Sequence, residues 1–152
     1  MKYLAVILSF VLLMVAPAWS SSETEQLLKE LEQCILEKDT YQNRKKERIN
    51  TLVMSLQTVS GNQDLLGKTY EKLYAEYKSF IYDSAFKYVN RVNELADESG
   101  DLKRINKARI MMGFTLLSSG LFKESLDILN SIRPGHSDTT TLSEYYAVIA
   151  RT

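Results

Sequence analysis

The sequence predicts an all-α protein in which antiparallel helical hairpins stack side by side as a short solenoid. Three observations predict this class. Apolar residues recur at intervals of three and four along nearly the whole chain. No segment alternates apolar and polar residues with the period of two that is typical of a strand. Two helix pairs, within about 64–97 and 102–134, match each other after a shift of 40 residues.

The first twenty residues differ from the rest and are predicted to be a secretory signal peptide. Lys2 precedes an apolar run that extends from Leu4 to Val15. This run is too short for the roughly 20 residues that span a bilayer. The small residues that follow predict cleavage after Ala18 or Ser20 and therefore export to the periplasm. The alternatives are an uncleaved anchor or a buried core helix.

Charge and cysteine content limit the partners that we expect. The 19 basic and 19 acidic residues give a formal net charge of zero. A chain without net charge has no long-range electrostatic field that attracts nucleic acid. We expect membrane contact only through the leader. The single Cys34 excludes an internal disulfide. It is predicted to be a small buried group on a helix, with an intermolecular disulfide as the alternative.

Residues 21–60 are predicted to form an N-terminal helical hairpin. Ser22 and Glu25 have the spacing of a capping box at the start of its first helix. Asp39 or Thr40 is the expected cap of its second helix.

The second predicted helix begins with a basic cluster that a single glutamate interrupts. Its members are Arg44, Lys45, Lys46 and Arg48. A nucleic-acid site needs a wider basic surface and usually aromatic platforms, so a solvated helix face is the preferred interpretation.

Five further helices are predicted between turn-forming segments. Those segments are Ser60-Gly61-Asn62, Ser99-Gly100-Asp101, Ser119-Gly120 and Arg133-Pro134-Gly135. The helices are expected over about 64–78, 82–97, 102–118, 122–133 and 139–149, the last one capped by Thr139–Thr141.

The shift of 40 residues aligns apolar positions across both helix pairs. The matched pairs are Tyr70 with Ile110, Tyr74 with Phe114, Tyr77 with Leu117, Tyr82 with Phe122, Ala85 with Ser125, Phe86 with Leu126, Val89 with Leu129, and Val92 with Ile132. Ala85 and Ser125 are predicted to lie where the two helices of each hairpin cross most closely. Each hairpin leaves one apolar face uncovered, so that neighbouring hairpins stack.

The segments "GLFKESLDIL" and "FIYDSAFKYV" resemble the tetratricopeptide repeat, although the offset here is 40 residues rather than 34. The order of segments is also similar to that of a known bacterial family. A leader comes first, then "LLKELEQCILEKDTYQNRKKERINTL", then these repeats. This order resembles the exported N-terminal region of a bacterial family of membrane-tethered transcriptional regulators. The resemblance implies tetratricopeptide-like repeats over 61–152, as two hairpins and one unpaired C-terminal helix. It also implies a non-enzymatic, periplasmic interaction module with a sensing or scaffold role.

The resemblance further implies a concave surface for a protein or peptide partner, lined by the first helix of each hairpin. The candidate residues are Lys68, Glu71, Ala75, Lys78, Met111, Thr115 and Ser118. The many tyrosines between 70 and 88 have helical spacing and are predicted to belong to the core, with a peptide or glycan groove as the alternative.

The predicted helix over 139–149 has no partner in the sequence given. We expect either that the chain is a piece of a longer protein or that another chain covers this open end. Self-association through it gives the alternative function, a structural helical assembly or dimerisation protein.

No residue pattern indicates an enzyme, a cofactor or a metal. His136-Ser137-Asp138 contains the residue types of a catalytic triad, but triads are assembled by the fold rather than by adjacency. One His and one Cys are too few for a zinc site. The acidic residues Glu94, Asp97, Glu98 and Asp101 lack the pattern of a calcium loop and are predicted to form a solvated turn.

Overall fold

The computed structural model describes the backbone of residues 19–152 and the side chains of residues 23–152. The predicted leader and its cleavage sites lie outside the residues described in full. Within 19–152 the chain forms six α-helices and one short 3-10 helix, and it contains no strand. In chain order they are α1 (Trp19–Val59), α2 (Gln63–Tyr77), α3 (Tyr82–Ser99), α4 (Leu102–Ser118), α5 (Phe122–Asn130), the 3-10 helix (Pro134–His136) and α6 (Thr139–Ile149).

The prediction of a hairpin over 21–60 is wrong, because α1 is one continuous helix of 41 residues. Asp39 and Thr40 are weak helix formers, but the segment around them contains no Gly or Pro that would end a helix. The helix is already established at Ser22, so this residue is not its N-cap.

The chain divides into two compact units, residues 1–44 and residues 45–152. In the first unit the apolar face of α1 is exposed, and Leu27, Leu28 and Leu31 each keep more than half of their surface in solvent. Cys34 is also exposed, which corrects the prediction that it is buried. This face would be buried only if a second helix folded back against it, and α1 instead continues as one helix.

The second unit consists of two helical hairpins followed by a single helix. The hairpins are α2–α3 and α4–α5, and α6 packs against α4 and α5. Helix α4 has the predicted bounds, whereas α5 ends at Asn130 instead of reaching Arg133. The cap of α6 is Asp138, whose carboxylate accepts a hydrogen bond from the amide of Thr141 at 2.8 Å. The predicted cap at Thr139–Thr141 is therefore wrong by one residue.

The tight turn between α4 and α5 depends on Gly120, as its sequence predicts. Gly120 has a φ of 81°, which is unfavourable for residues with a side chain. Its amide donates to the carbonyl of Leu117, and the amide of Leu121 donates to the carbonyl of Leu116, both at 3.0 Å. These two bonds form a Schellman motif, which satisfies the last carbonyls of α4 and reverses the chain.

The two small residues predicted at the helix crossings are both buried. Ala85 is 1% exposed and Ser125 is 0% exposed. The Ser125 hydroxyl donates to the carbonyl of Gly113 at 2.8 Å, so that α5 meets the backbone of α4 directly. A Cβ added at Gly113 would lie only 2.8 Å from the Leu129 side chain. The equivalent core residues Val89 and Leu129 are both completely buried, which agrees with the 40-residue repeat.

The C-terminal part of α1 packs on the first hairpin. Ile49 belongs to the same buried cluster as Leu73 and Val89. At the surface, Arg48 binds Glu76 of α2 through two hydrogen bonds of 2.9 and 3.2 Å. The Lys45 ammonium lies 3.6 Å from the centre of the Phe80 ring. Two members of the basic cluster therefore make contacts within the fold.

We expect Ser125→Leu to destabilise the protein by about 1–3 kcal/mol, because the crossing has no room for a larger side chain. Ser125→Ala removes only the hydroxyl and should cost about 1 kcal/mol. Ser143 is exposed on α6, so Ser143→Leu is the control and should change stability by less than about 0.5 kcal/mol. Urea unfolding measures all three, and equal effects of the two leucine variants would contradict the close crossing.

We expect stability to fall in acid partly through Glu76. The hydrogen bond from Arg48, and then the positive charges of Arg48 and Lys45, lower the pKa of Glu76 although desolvation opposes them. A lowered folded-state pKa stabilises the protein above the unfolded value of about 4.3, and this contribution is lost as the pH falls through the folded value.

Glu76→Gln should therefore reduce the dependence of the unfolding free energy on pH below about 5. Urea unfolding at a series of pH values makes the comparison. Identical pH profiles for the wild type and Glu76→Gln would refute a contribution from this ion pair.

Candidate functional site

A groove runs between the first helices of the successive repeats, α2, α4 and α6. Its cavity volume is about 320 Å³. Three residues of α2 and its C-cap Lys78 line one wall, four residues of α4 line the floor, and the α6 segment lines the opposite wall. The lining residues are Glu71, Tyr74, Ala75, Lys78, Lys107, Ile110, Met111, Phe114, Glu144, Ala147, Val148 and Arg151.

The groove combines an apolar lining with a charged rim. Aliphatic and aromatic side chains from all three helices supply the apolar surface, and three cations and two carboxylates supply the charge. Glu71 is neutralised by Lys107 across an ion pair of 2.6 Å between α2 and α4. Lys78 lies over the Phe114 ring, 5.8 Å from its centre. The groove therefore has the mixed character of a surface that binds an amphipathic chain.

Tyr74 connects α2 to α4 beneath the groove. It is 5% exposed, and its hydroxyl donates to the carbonyl of Met111 at 3.2 Å. Burial raises the pKa of Tyr74, and the charge of Glu144 acts in the same direction, whereas the hydrogen bond with Thr115 lowers it. The phenol is therefore neutral at physiological pH and serves as a fixed polar group in the wall.

Two smaller depressions continue the groove at its ends. One is strongly charged, and its lining residues are Asp64, Lys68, Glu71, Lys103, Arg104, Lys107, Asp138 and Thr141. The other lies at the turn between α2 and α3, and its lining residues are Lys78, Ser79, Phe80, Ile81, Tyr82, Ala85, Thr115 and Ser118. Glu71, Lys107 and Lys78 are shared with the groove, so the three concavities form a continuous surface along the first helices.

The candidate residues from the sequence are all found along this surface. Glu71, Ala75, Lys78 and Met111 line the groove itself. Lys68 lies in the charged depression, and its ammonium binds the Asp64 carboxylate at 2.7 Å.

The other two candidates, Thr115 and Ser118, lie at the turn depression. Thr115 is only 3% exposed, and its hydroxyl donates to the carbonyl of Met111 at 2.8 Å. Its hydroxyl also donates to the Tyr74 hydroxyl of α2 at 3.4 Å, so Thr115 is buried between α4 and α2, which corrects its assignment to the exposed surface.

Sequence reasoning missed the third wall of the groove. Glu144, Ala147, Val148 and Arg151 come from the last repeat, which was interpreted only as an unpaired helix. The signal was present, because a second shift by 40 residues carries Lys107 onto Ala147 and Met111 onto Arg151. The shift of 40 residues therefore extends to α6 as well as relating the two hairpins.

The sequence leaves two roles open for the tyrosines between 70 and 88, core packing and a groove. Tyr77 and Tyr88 stack at 5.7 Å between ring centres, and Tyr70 lies 6.1 Å from Tyr88, so these three rings pack the first hairpin. Tyr74 belongs to the same buried cluster as Tyr88 and also lines the groove.

Asn106 positions α6 against the repeats and was not identified from the sequence. This buried side chain on α4 donates to the carbonyl of Arg133 at 2.8 Å and to the Ser137 hydroxyl at 2.9 Å. It also accepts a hydrogen bond from the Arg133 amide at 3.3 Å. Ser137 and the capping Asp138 therefore hold the loop that leads into α6.

Two further properties concern only residues 19–152. No group of three or more His, Cys, Asp and Glu side chains in this range is arranged to hold a metal ion. No helix described in this range is both long enough and apolar enough to cross a membrane.

Comparison with known families identifies the repeats. The family model described as the SusR N-terminal TPR domain, where TPR denotes the tetratricopeptide repeat, matches residues 35–152. No curated protein and no solved structure gives a significant match. The match spans the C-terminal part of α1 and all the hairpins, so it covers every residue of the groove.

Proposed function

Because this chain belongs to the family of SusR N-terminal TPR domains, we propose that its groove binds a protein or peptide partner on behalf of a transcriptional regulator. TPR domains mediate protein–protein interaction and generally serve as non-catalytic scaffolds. The general function of the chain, a protein-interaction module, follows from the family alone. The groove as the binding surface and the regulatory role are proposed.

The observation that carries the proposal is the groove between α2, α4 and α6. Three successive first helices line it, and Ala75, Ala147, Met111 and Phe114 remain at least partly accessible beside the charged rim. An extended peptide places side chains alternately on both sides of its backbone, so that apolar ones can enter the groove while polar ones meet the rim.

We further propose that the domain is exported and acts as the sensing or scaffold part of a membrane-tethered regulator in the periplasm. The charged start and short apolar run of residues 1–20 support export. Regulators of this kind need a partner-binding part outside the cytoplasm and a tether that transmits the bound state.

Ala75→Trp should abolish peptide binding, because the indole would fill the groove at an exposed position of α2. Lys78→Glu should weaken or redirect binding by reversing one charge at the rim. Lys72 is exposed on the same helix and does not line the groove, so Lys72→Glu is the matched control.

The measurement is selection of a displayed random peptide library on the immobilised chain, followed by fluorescence anisotropy with the enriched peptides. Enriched peptides that bind the wild type and Lys72→Glu equally but fail with Ala75→Trp would support the groove. Undiminished binding to Ala75→Trp would refute it. Circular dichroism of each variant verifies that the helices remain folded.

Export is tested separately with alkaline phosphatase fused after Thr152, since this enzyme is active only where its disulfides form. We expect activity from the full chain in Gram-negative cells and its loss when residues 1–20 are deleted. Equal activity with and without these residues would contradict the leader, while leaving the groove proposal untouched.

A further inference from the structure

Residues 45–152 carry their excess of positive charge on one side, the concave surface that the groove and its two depressions form together. These residues contain 15 basic and 13 acidic side chains, counting Lys and Arg against Asp and Glu. Six basic and four acidic side chains line the concave surface. The rest of residues 45–152 is balanced, with nine of each sign. The six basic residues are Lys68, Lys78, Lys103, Arg104, Lys107 and Arg151.

Two carboxylates of the concave surface are neutralised by its own cations. The Asp64 carboxylate binds the Lys68 ammonium at 2.7 Å and the Arg104 guanidinium at 3.5 Å. The Glu71 carboxylate binds the Lys107 ammonium at 2.6 Å. Three of the six cations and two of the four carboxylates are therefore engaged in ion pairs within the fold.

The remaining charges of the concave surface are unbalanced. Asp138 accepts the amide hydrogen bond of Thr141 at 2.8 Å as the cap of α6, and it lies near Lys103 but beyond ion-pair distance. Glu144 is the other carboxylate. Three exposed cations have no carboxylate within 4 Å among residues 23–152, and they are Lys78, Lys103 and Arg151. These three cations are therefore available to a partner.

The available cations lie at two ends of the concave surface. Lys103 belongs to the first turn of α4 and lies in the charged depression. Lys78 and Arg151 both line the groove, and Lys78 lies over the Phe114 ring near the end of α4. Eleven positions of α4 separate Lys103 from Phe114, which corresponds to about 16 Å along the helix axis.

The surface between these two ends is apolar. Its alanines are exposed and its two larger side chains are partly accessible, and the residues are Ala75, Met111, Phe114 and Ala147. The order along the first helices is therefore cation, apolar surface, cation. A partner that matches this order needs charge at both ends and apolar side chains in the middle.

We infer that the partner segment is an extended acidic one, with one carboxylate at Lys103, a second at Lys78 and Arg151, and apolar residues between them. An extended chain advances about 3.3 Å per residue, so a span of about 16 Å places the two acidic residues about five positions apart. This inference rests on the proposed function, because it specifies the chemistry of the segment that the groove binds.

The same charges disfavour two other occupants. A basic segment would bring its cations against three side chains of the same sign, which is unfavourable. Nucleic acid binding commonly uses about six to ten phosphate contacts, and an excess of two charges is small in comparison. An acidic protein segment with few charges fits this surface better.

The first test is the composition of the peptides that the displayed library yields on the immobilised full chain. Peptides enriched on the wild type should contain Asp and Glu at least about twice as often as the starting library, with pairs about five positions apart preferred. Selection on Lys103→Gln/Arg151→Gln should lose this excess. Lys72 is exposed on α2 and lines none of the three concavities, so selection on Lys72→Gln should retain it.

The outcomes separate this inference from the proposed function. Enriched peptides that compete for the groove without an acidic excess would overturn the inference and leave the groove proposal intact. A library that yields no enriched peptide would refute the groove proposal and the inference with it. A labelled oligothymidylate that displaces the enriched peptides would favour nucleic acid and overturn the acidic segment.

The second test pairs each peptide carboxylate with its cation by fluorescence anisotropy. Replacing either glutamate of an enriched peptide with glutamine should raise the dissociation constant of the wild type about three- to fivefold, as expected for an accessible ion pair. One of these losses should disappear in Lys103→Gln and the other in Lys78→Gln/Arg151→Gln, because the contact is already absent there.

Both losses should persist in Lys72→Gln. Losses that are equal in the wild type and in every variant would overturn the pairing. Circular dichroism verifies that each variant is folded, and removal of a cation from the first turn of α4 should not destabilise that helix.

Discussion

The architecture of the repeats depends on one close contact, the meeting of a small residue on the second helix of a hairpin with the first helix. In the second hairpin the Ser125 hydroxyl bonds to the Gly113 carbonyl, and Leu129 fills the space that a side chain at position 113 would need. This contact lets bulky residues on either side interdigitate. Each hairpin then keeps one apolar face that only a neighbouring helix can cover, so the stacking of repeats follows.

The groove is a consequence of that stacking. Because the second helices pack on the outside, the first helices of three repeats come together and expose one row of side chains each. Tyr74 and the Glu71–Lys107 ion pair join two of these helices, and Asn106 fixes the loop that brings in the third. The groove thus has walls that belong to the fold itself, so its surface is preformed.

The groove and the exposed apolar face of α1 differ in how they arise. The groove is made by residues far apart in sequence and exists only when the hairpins are stacked. The exposed apolar face of α1, with Leu27, Leu28 and Leu31, is made by neighbouring turns of one helix and exists wherever that helix forms.

Local signals in the sequence determined most of the second unit. Apolar spacing specifies its helices, Gly120 specifies a turn, and the 40-residue repeat specifies the crossing residues Ala85 and Ser125. The resemblance to the tetratricopeptide repeat, and not periodicity, implied that Glu71, Ala75, Lys78 and Met111 share one surface. Only the tertiary structure decided the rest. The exposure of Cys34, the burial of Thr115 and the role of Asn106 depend on which segments meet in space, and nothing in the local sequence specifies distant neighbours.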